Sequence, residues 1–150
     1  NPAIDYDKLI NYREYYWIPE GPGSIEIDSV GPNAVAEYSV ENLAQGAYNF
    51  SHRESENNPT LTLYRGNTYK FNVNAKGHPF YIMTEPYKDG STNLFYTSGV
   101  TNAGADTGTV TFTVPTGAPD ILYYQCGNHD AMYGILQIRI LRSPKGKNII

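Results

Sequence analysis

Short runs in which every second residue is apolar, each stopped by glycine or proline, decide what this chain can fold into. Thr109 to Val114 alternates threonine with Val110, Phe112 and Val114 and ends at Pro115. A period of two puts one set of side chains on each face of an extended strand. Leu61 to Tyr64, Tyr69 to Val73 and Ile135 to Ile140 repeat the pattern, and Ile25 and Ile27 alternate with Glu26 and Asp28. Val35 to Val40 is a further strand candidate. Phe80 to Met83 and Ile121 to Tyr124 are short apolar runs, read as buried strands. Pro and Gly stand between the runs rather than inside them, and no stretch carries a long apolar stripe of helical period. Several short strands with turn signals between them predict an all-β Greek-key sandwich. Arg65-Gly66-Asn67 reads as a tight hairpin turn. Glu85 to Asp106, rich in Gly, Ser, Thr and Asn, reads as an irregular excursion with room for one small helix.

A chain of 150 residues suits one domain with a short extra arm. Residues 1–23 are Tyr-rich, end in Gly21-Pro22-Gly23 and read as an N-terminal arm or linker. The sandwich is expected over 24–142, with a tail over 143–150. Hydrophobic residues at 40% against 17% charged are enough for a packed core and exclude a disordered chain. A net charge of −4 with no cluster of Lys and Arg argues against a nucleic-acid partner. No run of 18 apolar residues is present, so no membrane-spanning helix is expected. Asn1-Pro2, followed by Asp5 and Asp7, does not read as a secretion leader, and a start without Met reads as a processed or excised piece.

The chemistry concentrates in Cys126-Gly127-Asn128-His129-Asp130-Ala131-Met132. Cys126 is the single cysteine, so no intramolecular disulfide forms. A lone cysteine is ordinarily a buried, inert hydrophobe, and a lone methionine ordinarily packs a core. Here a thiolate, an imidazole and a thioether fall within seven residues between two predicted strands, a spacing that lets one tight loop turn all three toward one point. Two imidazoles and a thiolate with a weak axial thioether are the donor set of a blue-copper electron-transfer centre. The second imidazole has two candidates besides His129. His52 sits in a polar turn, Ser51-His52-Arg53-Glu54-Ser55, and is the weaker one. His78, in Gly77-His78-Pro79-Phe80, immediately precedes a predicted strand, and loops cluster at the ends of a sandwich.

On these residues the chain resembles the cupredoxin family. The Cys-x2-His-x2-Met loop is similar to the amicyanin kind, and the distant upstream histidine to the plastocyanin layout. Thr111 to Pro115 and Leu122-Tyr123-Tyr124-Gln125-Cys126 fit the family's last strands. The likeness runs from Thr60 to Ile140, while residues 1–59 match only as early strands. It implies one type 1 copper held by His78, Cys126 and His129, with Met132 axial and the Gly77 carbonyl opposite the methionine. It also implies outer-sphere electron transfer with His129 as the exit, and docking of a redox partner on a patch of Pro79, Phe80, Ala131 and Tyr133. One departure stands out. Many family members follow the first histidine with an asparagine that ties the ligand loops together, and here Pro79 takes that place.

Other chemistries fit less well. Structural zinc wants closed tetrahedra of Cys and His, and this chain has one cysteine and three histidines. A multicopper oxidase or copper nitrite reductase needs imidazoles beyond His52, so no enzymatic activity is expected. A Cys126–His129 nucleophile pair lacks a third partner and an oxyanion hole. Two further readings stay open: a copper-loaded structural or adhesion module of a larger assembly, and copper storage or delivery. The first draws on a softer likeness of His78 to Ile82 and Tyr123 to His129 to cupredoxin-like domains in virion and surface proteins of marine cyanobacteria and their phages. Periplasm, thylakoid lumen and virion surface are all compatible with these readings.

Overall fold

The computed structural model describes residues 33–53, 55–88 and 93–141. The expected arm over 1–23, the strand around Ile25 and Ile27 and the tail over 143–150 lie outside the described residues.

The described residues form nine strands: β1 (Val35–Glu41), β2 (Asn49–Phe50), β3 (Leu61–Tyr64), β4 (Thr68–Asn74), β5 (Phe80–Met83), β6 (Val100–Thr101), β7 (Thr107–Thr113), β8 (Ile121–Cys126) and β9 (Tyr133–Arg139). They make two sheets, ordered β2-β1-β4-β7-β6 and β3-β9-β8-β5. The chain is thus an all-β sandwich whose connections cross between the layers, as expected. Each sheet mixes directions, with β1 parallel to β4 and β3 parallel to β9 while the other pairs are antiparallel.

Alternation drives the layering. In β4, Tyr69, Phe71 and Val73 are buried while the residues between them are not. Strand β9 buries Gly134, Leu136 and Ile138 in the same rhythm. The inward sets meet as one core containing Phe50, Phe71, Phe80, Phe112, Tyr48 and Tyr124, all fully buried. Each such ring contributes about 1.5–3 kcal/mol on leaving water, which holds the two layers face to face.

Three expectations are corrected. Arg65-Gly66-Asn67 does form a turn, with the Asn67 N–H donating to the Tyr64 carbonyl at 3.1 Å. It is no hairpin, however, because β3 pairs with β9 and β4 with β1 and β7, so the turn carries the chain from one sheet to the other. The 85–106 excursion shows no helix among its described residues. It runs along the sandwich through a bridge at Met83–Phe95, the short β6 and a bridge at Phe80–Ala105. Finally, Ile121 to Tyr124 is not buried throughout, since Ile121 is exposed and Tyr123 only partly buried.

Candidate metal centre

Strand register explains how two loops distant in sequence come together. In the β5–β8 ladder Phe80 is the partner of Cys126. The pairing continues one step further, where the Gly127 N–H donates to the Pro79 carbonyl at 3.0 Å. One step beyond that, the register sets His78 across from Asn128, close enough for its ring to approach the Cys126 sulfur. On the other side, β8 and β9 form an antiparallel pair beginning at Gln125–Tyr133. The residues between are a closed loop, with the Cys126 N–H donating to the Met132 carbonyl at 2.9 Å and the Met132 N–H to the His129 carbonyl at 3.2 Å.

The result is a cluster of three donors. His78, Cys126 and His129 place their ligating atoms within 4.8 Å of one another. Cys126 Sγ lies 3.6 Å from His78 Nδ1 and 3.4 Å from His129 Nδ1. The imidazole rings stand 4.9 Å apart, tilted by 31°. These separations suit one metal ion between the three atoms. Bonds of about 2.0 Å to nitrogen and about 2.3 Å to sulfur, at angles between tetrahedral and trigonal, set N and S about 3.5–3.7 Å apart. Met132 closes the same loop and is fully buried. Among the described residues His52 joins no such cluster. It lies partly buried against Tyr38, with ring centroids 4.5 Å apart.

Cys126 is fully buried while His129 is exposed and His78 partly so. Burial pushes the Cys126 thiol up, and the backbones of Asn128 and His129 pull it back in part. A nucleophilic cysteine needs the opposite balance. Loss of the thiol proton to a bound metal is instead the ordinary way a buried cysteine becomes a ligand.

With proline after His78, the fastening of the histidine turn comes from residues that sequence reasoning missed. Gly77 adopts φ +85°, a conformation that glycine takes without steric cost. Its N–H donates to Asp106 Oδ2 at 2.8 Å, and the His78 N–H donates to the Ala75 carbonyl at 2.8 Å. Asn128 Nδ2 reaches across to the Gly77 carbonyl at 2.9 Å, so the tie between the loops runs from the cysteine side. The fully buried Tyr48 donates its hydroxyl to the His78 and Pro79 carbonyls, at 2.7 and 3.0 Å. No spacing pattern distinguishes Tyr48 or Asn128 in the sequence. Of the residues expected in an apolar patch, Ala131 is exposed and Pro79 and Tyr133 are half-buried, whereas Phe80 is wholly in the core and cannot belong to a surface.

No family model matches this chain, and no curated protein matches it. Among solved structures it is similar to rusticyanin from Thiobacillus ferrooxidans, at 16% identity and a TM-score of 0.47, covering 89% of this chain and 91% of that one. A reduced rusticyanin structure determined by NMR aligns at 19% identity and a TM-score of 0.46, over 89% of this chain and 90% of that one. A second structure of reduced rusticyanin aligns at 16% identity and a TM-score of 0.46, over 88% and 93% of the two chains.

Proposed function

We propose that this chain is a mononuclear type 1 copper protein of the cupredoxin kind that carries single electrons. The observation behind this reading is the convergence of His78 Nδ1, Cys126 Sγ and His129 Nδ1, from turns 48 residues apart, at separations that suit one metal ion. Two imidazoles and a thiolate form the trigonal set, and Met132 is assigned as the weak axial ligand. Copper would supply a one-electron couple here. The protein's part is to hold the donors on paired strands, so that they shift little between oxidation states, and to keep water from the sulfur.

The exposure of His129, with Cys126 buried behind it, supports the exit of the electron through the His129 ring edge. A redox partner is accordingly assigned to the surface around His129, Ala131 and Pro79. No helix among the described residues is long and apolar enough to cross a membrane. An extracytoplasmic setting is the proposed location, since it suits a copper electron carrier. The described residues offer nothing that favours the adhesion or storage readings.

The test is direct. Cu(II) added to the purified chain should produce an intense visible band and a blue or green solution, from charge transfer between the Cys126 thiolate and copper. Cys126→Ser should abolish the band. A colourless wild type, or colour that survives in Cys126→Ser, overturns the assignment.

A further inference from the structure

We propose that Gln125 is the positioning residue of the metal loop, holding the backbone of three donors through a single side-chain amide. The proposal rests on the copper reading of the site. Gln125 is fully buried and lies between Tyr124 and Cys126 at the end of β8. Consecutive residues of a strand point to opposite faces, so its side chain leaves β8 on the face away from the Cys126 sulfur. On that face four carbonyl oxygens crowd around Nε2: Cys126 at 3.0 Å, His129 at 2.8 Å, Asp130 at 3.4 Å and Met132 at 3.2 Å.

Four carbonyl dipoles aimed at one point repel unless a donor sits among them. An amide nitrogen brings two N–H groups and no lone pair, so it can draw them together. Three of the four carbonyls belong to Cys126, His129 and Met132 themselves. The amide is also kept from turning round, because its Oε1 accepts the Tyr87 N–H at 2.8 Å. Reversed, the group would set oxygen against the carbonyl cluster and nitrogen against an N–H. Tyr87 belongs to the segment that follows β5, so one side chain straps that segment to the metal loop.

Outer residues that orient metal ligands cost roughly 10- to 100-fold in metal affinity when removed. Gln125→Met keeps the length of the side chain and removes every donor. It should bind copper 10- to 100-fold more weakly than wild type, with a displaced reduction potential and an altered visible band. Gln125→Glu is nearly isosteric and replaces the two N–H donors with an acid group that sets oxygen against the carbonyl cluster. Compared with wild type at one fixed pH near neutrality, it should bind copper more weakly and show a displaced reduction potential.

Wild-type copper affinity and potential in Gln125→Met would overturn the proposal. Should that variant fail to fold, Gln125→Glu decides: weaker copper binding than wild type at the same pH supports the proposal, and wild-type affinity overturns it. A wild type that takes up no copper would defeat the copper reading alone. In that event amide exchange in the metal-free chain still reads the strap. The Tyr87 and Met132 amides should exchange faster in Gln125→Met than in wild type, and unchanged rates would overturn the role of Gln125.

Discussion

Two side chains at the residue scale carry predictions that separate chemistry from packing. Met132 ends the metal loop in full burial, so Met132→Leu fills nearly the same volume while removing the thioether. A weak axial donor tunes the potential of a site of this kind. Without it the more highly charged Cu(II) loses a donor and gains an apolar neighbour. Met132→Leu should therefore stay coloured and show a higher reduction potential by voltammetry, and an unchanged potential would remove Met132 from the ligand set. His52 tests a different property. Its ring stacks on Tyr38, and its Nδ1 is buried with no hydrogen-bond partner among the described residues. Burial first, and the neighbouring Arg53 charge second, lower its pKa from 6.5, against a smaller raising influence from Glu56. The unfolded chain thus takes up the proton before the folded one does as pH falls. The stabilisation is complete above the unfolded value of 6.5 and is lost as pH drops through the lower folded value. Denaturant midpoints of the metal-free chain should fall below pH 6.5, and His52→Phe, which keeps the stacked ring, should flatten that fall.

Legibility at the scale of the element followed the length of the pattern. β4, β7 and β9 announce themselves because seven residues each leave room for a period of two to show. β2 and β6 have two residues each, which carry no period, and only their partners in β1 and β7 make them strands. The turn after β3 misled because adjacent strands in sequence are the usual partners. The actual partner of β3 is β9, whose pairing is parallel and set by burial of Leu61 and Leu63 in the shared core. The closeness of Cys126 and His129 was legible because the two are local, and that of His78 because few histidines compete. Gln125, Tyr48 and Asn128 were not legible, since their roles arise from strand register and from carbonyls with no sequence signature. One residue of β9 makes the same point in steric terms. Gly134 is the cross-strand partner of Tyr124, and a Cβ there would lie 2.1 Å from the tyrosine oxygen and 2.2 Å from its ring. That ring cannot easily retreat, because its hydroxyl donates to the Pro59 carbonyl at 2.6 Å and it stacks on Phe80 at 5.7 Å. Gly134→Ala should destabilise the fold by about 1–3 kcal/mol in denaturant titration. A neutral effect would mean that the ring has space the packing does not show.

At the scale of the whole molecule the sandwich has two ends with different duties. The donors occupy the end where β8 finishes, and Arg65 holds the end where β8 begins. Its backbone N–H extends the β3–β9 ladder to the Arg139 carbonyl at 2.9 Å. The guanidinium is largely buried, and Nη2 donates to the Ala118 carbonyl at 2.8 Å and to Asp120 Oδ1 at 2.7 Å. In the same turn, the Gly66 N–H reaches the Val114 carbonyl at 2.8 Å, and Asn67 Oδ1 accepts the Ala34 N–H at 3.0 Å. The turn between β3 and β4 thereby joins both sheets, and the buried guanidinium is tolerated there because carbonyl and carboxylate oxygens accept from it. The Asp120 carboxylate is mostly exposed, so water screens the ion pair, and the Ala118 carbonyl is the partner that suffers when the guanidinium goes. Arg65→Met keeps most of the apolar stem and should cost roughly 1–3 kcal/mol, the cost of a buried acceptor left without its donor. At about 3.3 Å per residue, β8 separates Arg65 from the donors by on the order of 16 Å, beyond the range at which mutational effects usually couple. The visible band and the potential of the copper-loaded variant should therefore equal those of wild type while its denaturant midpoint falls. If the band shifts along with the midpoint, the two ends are not independent, and the donor geometry depends on the packing of the entire sandwich rather than on the β5–β8 register.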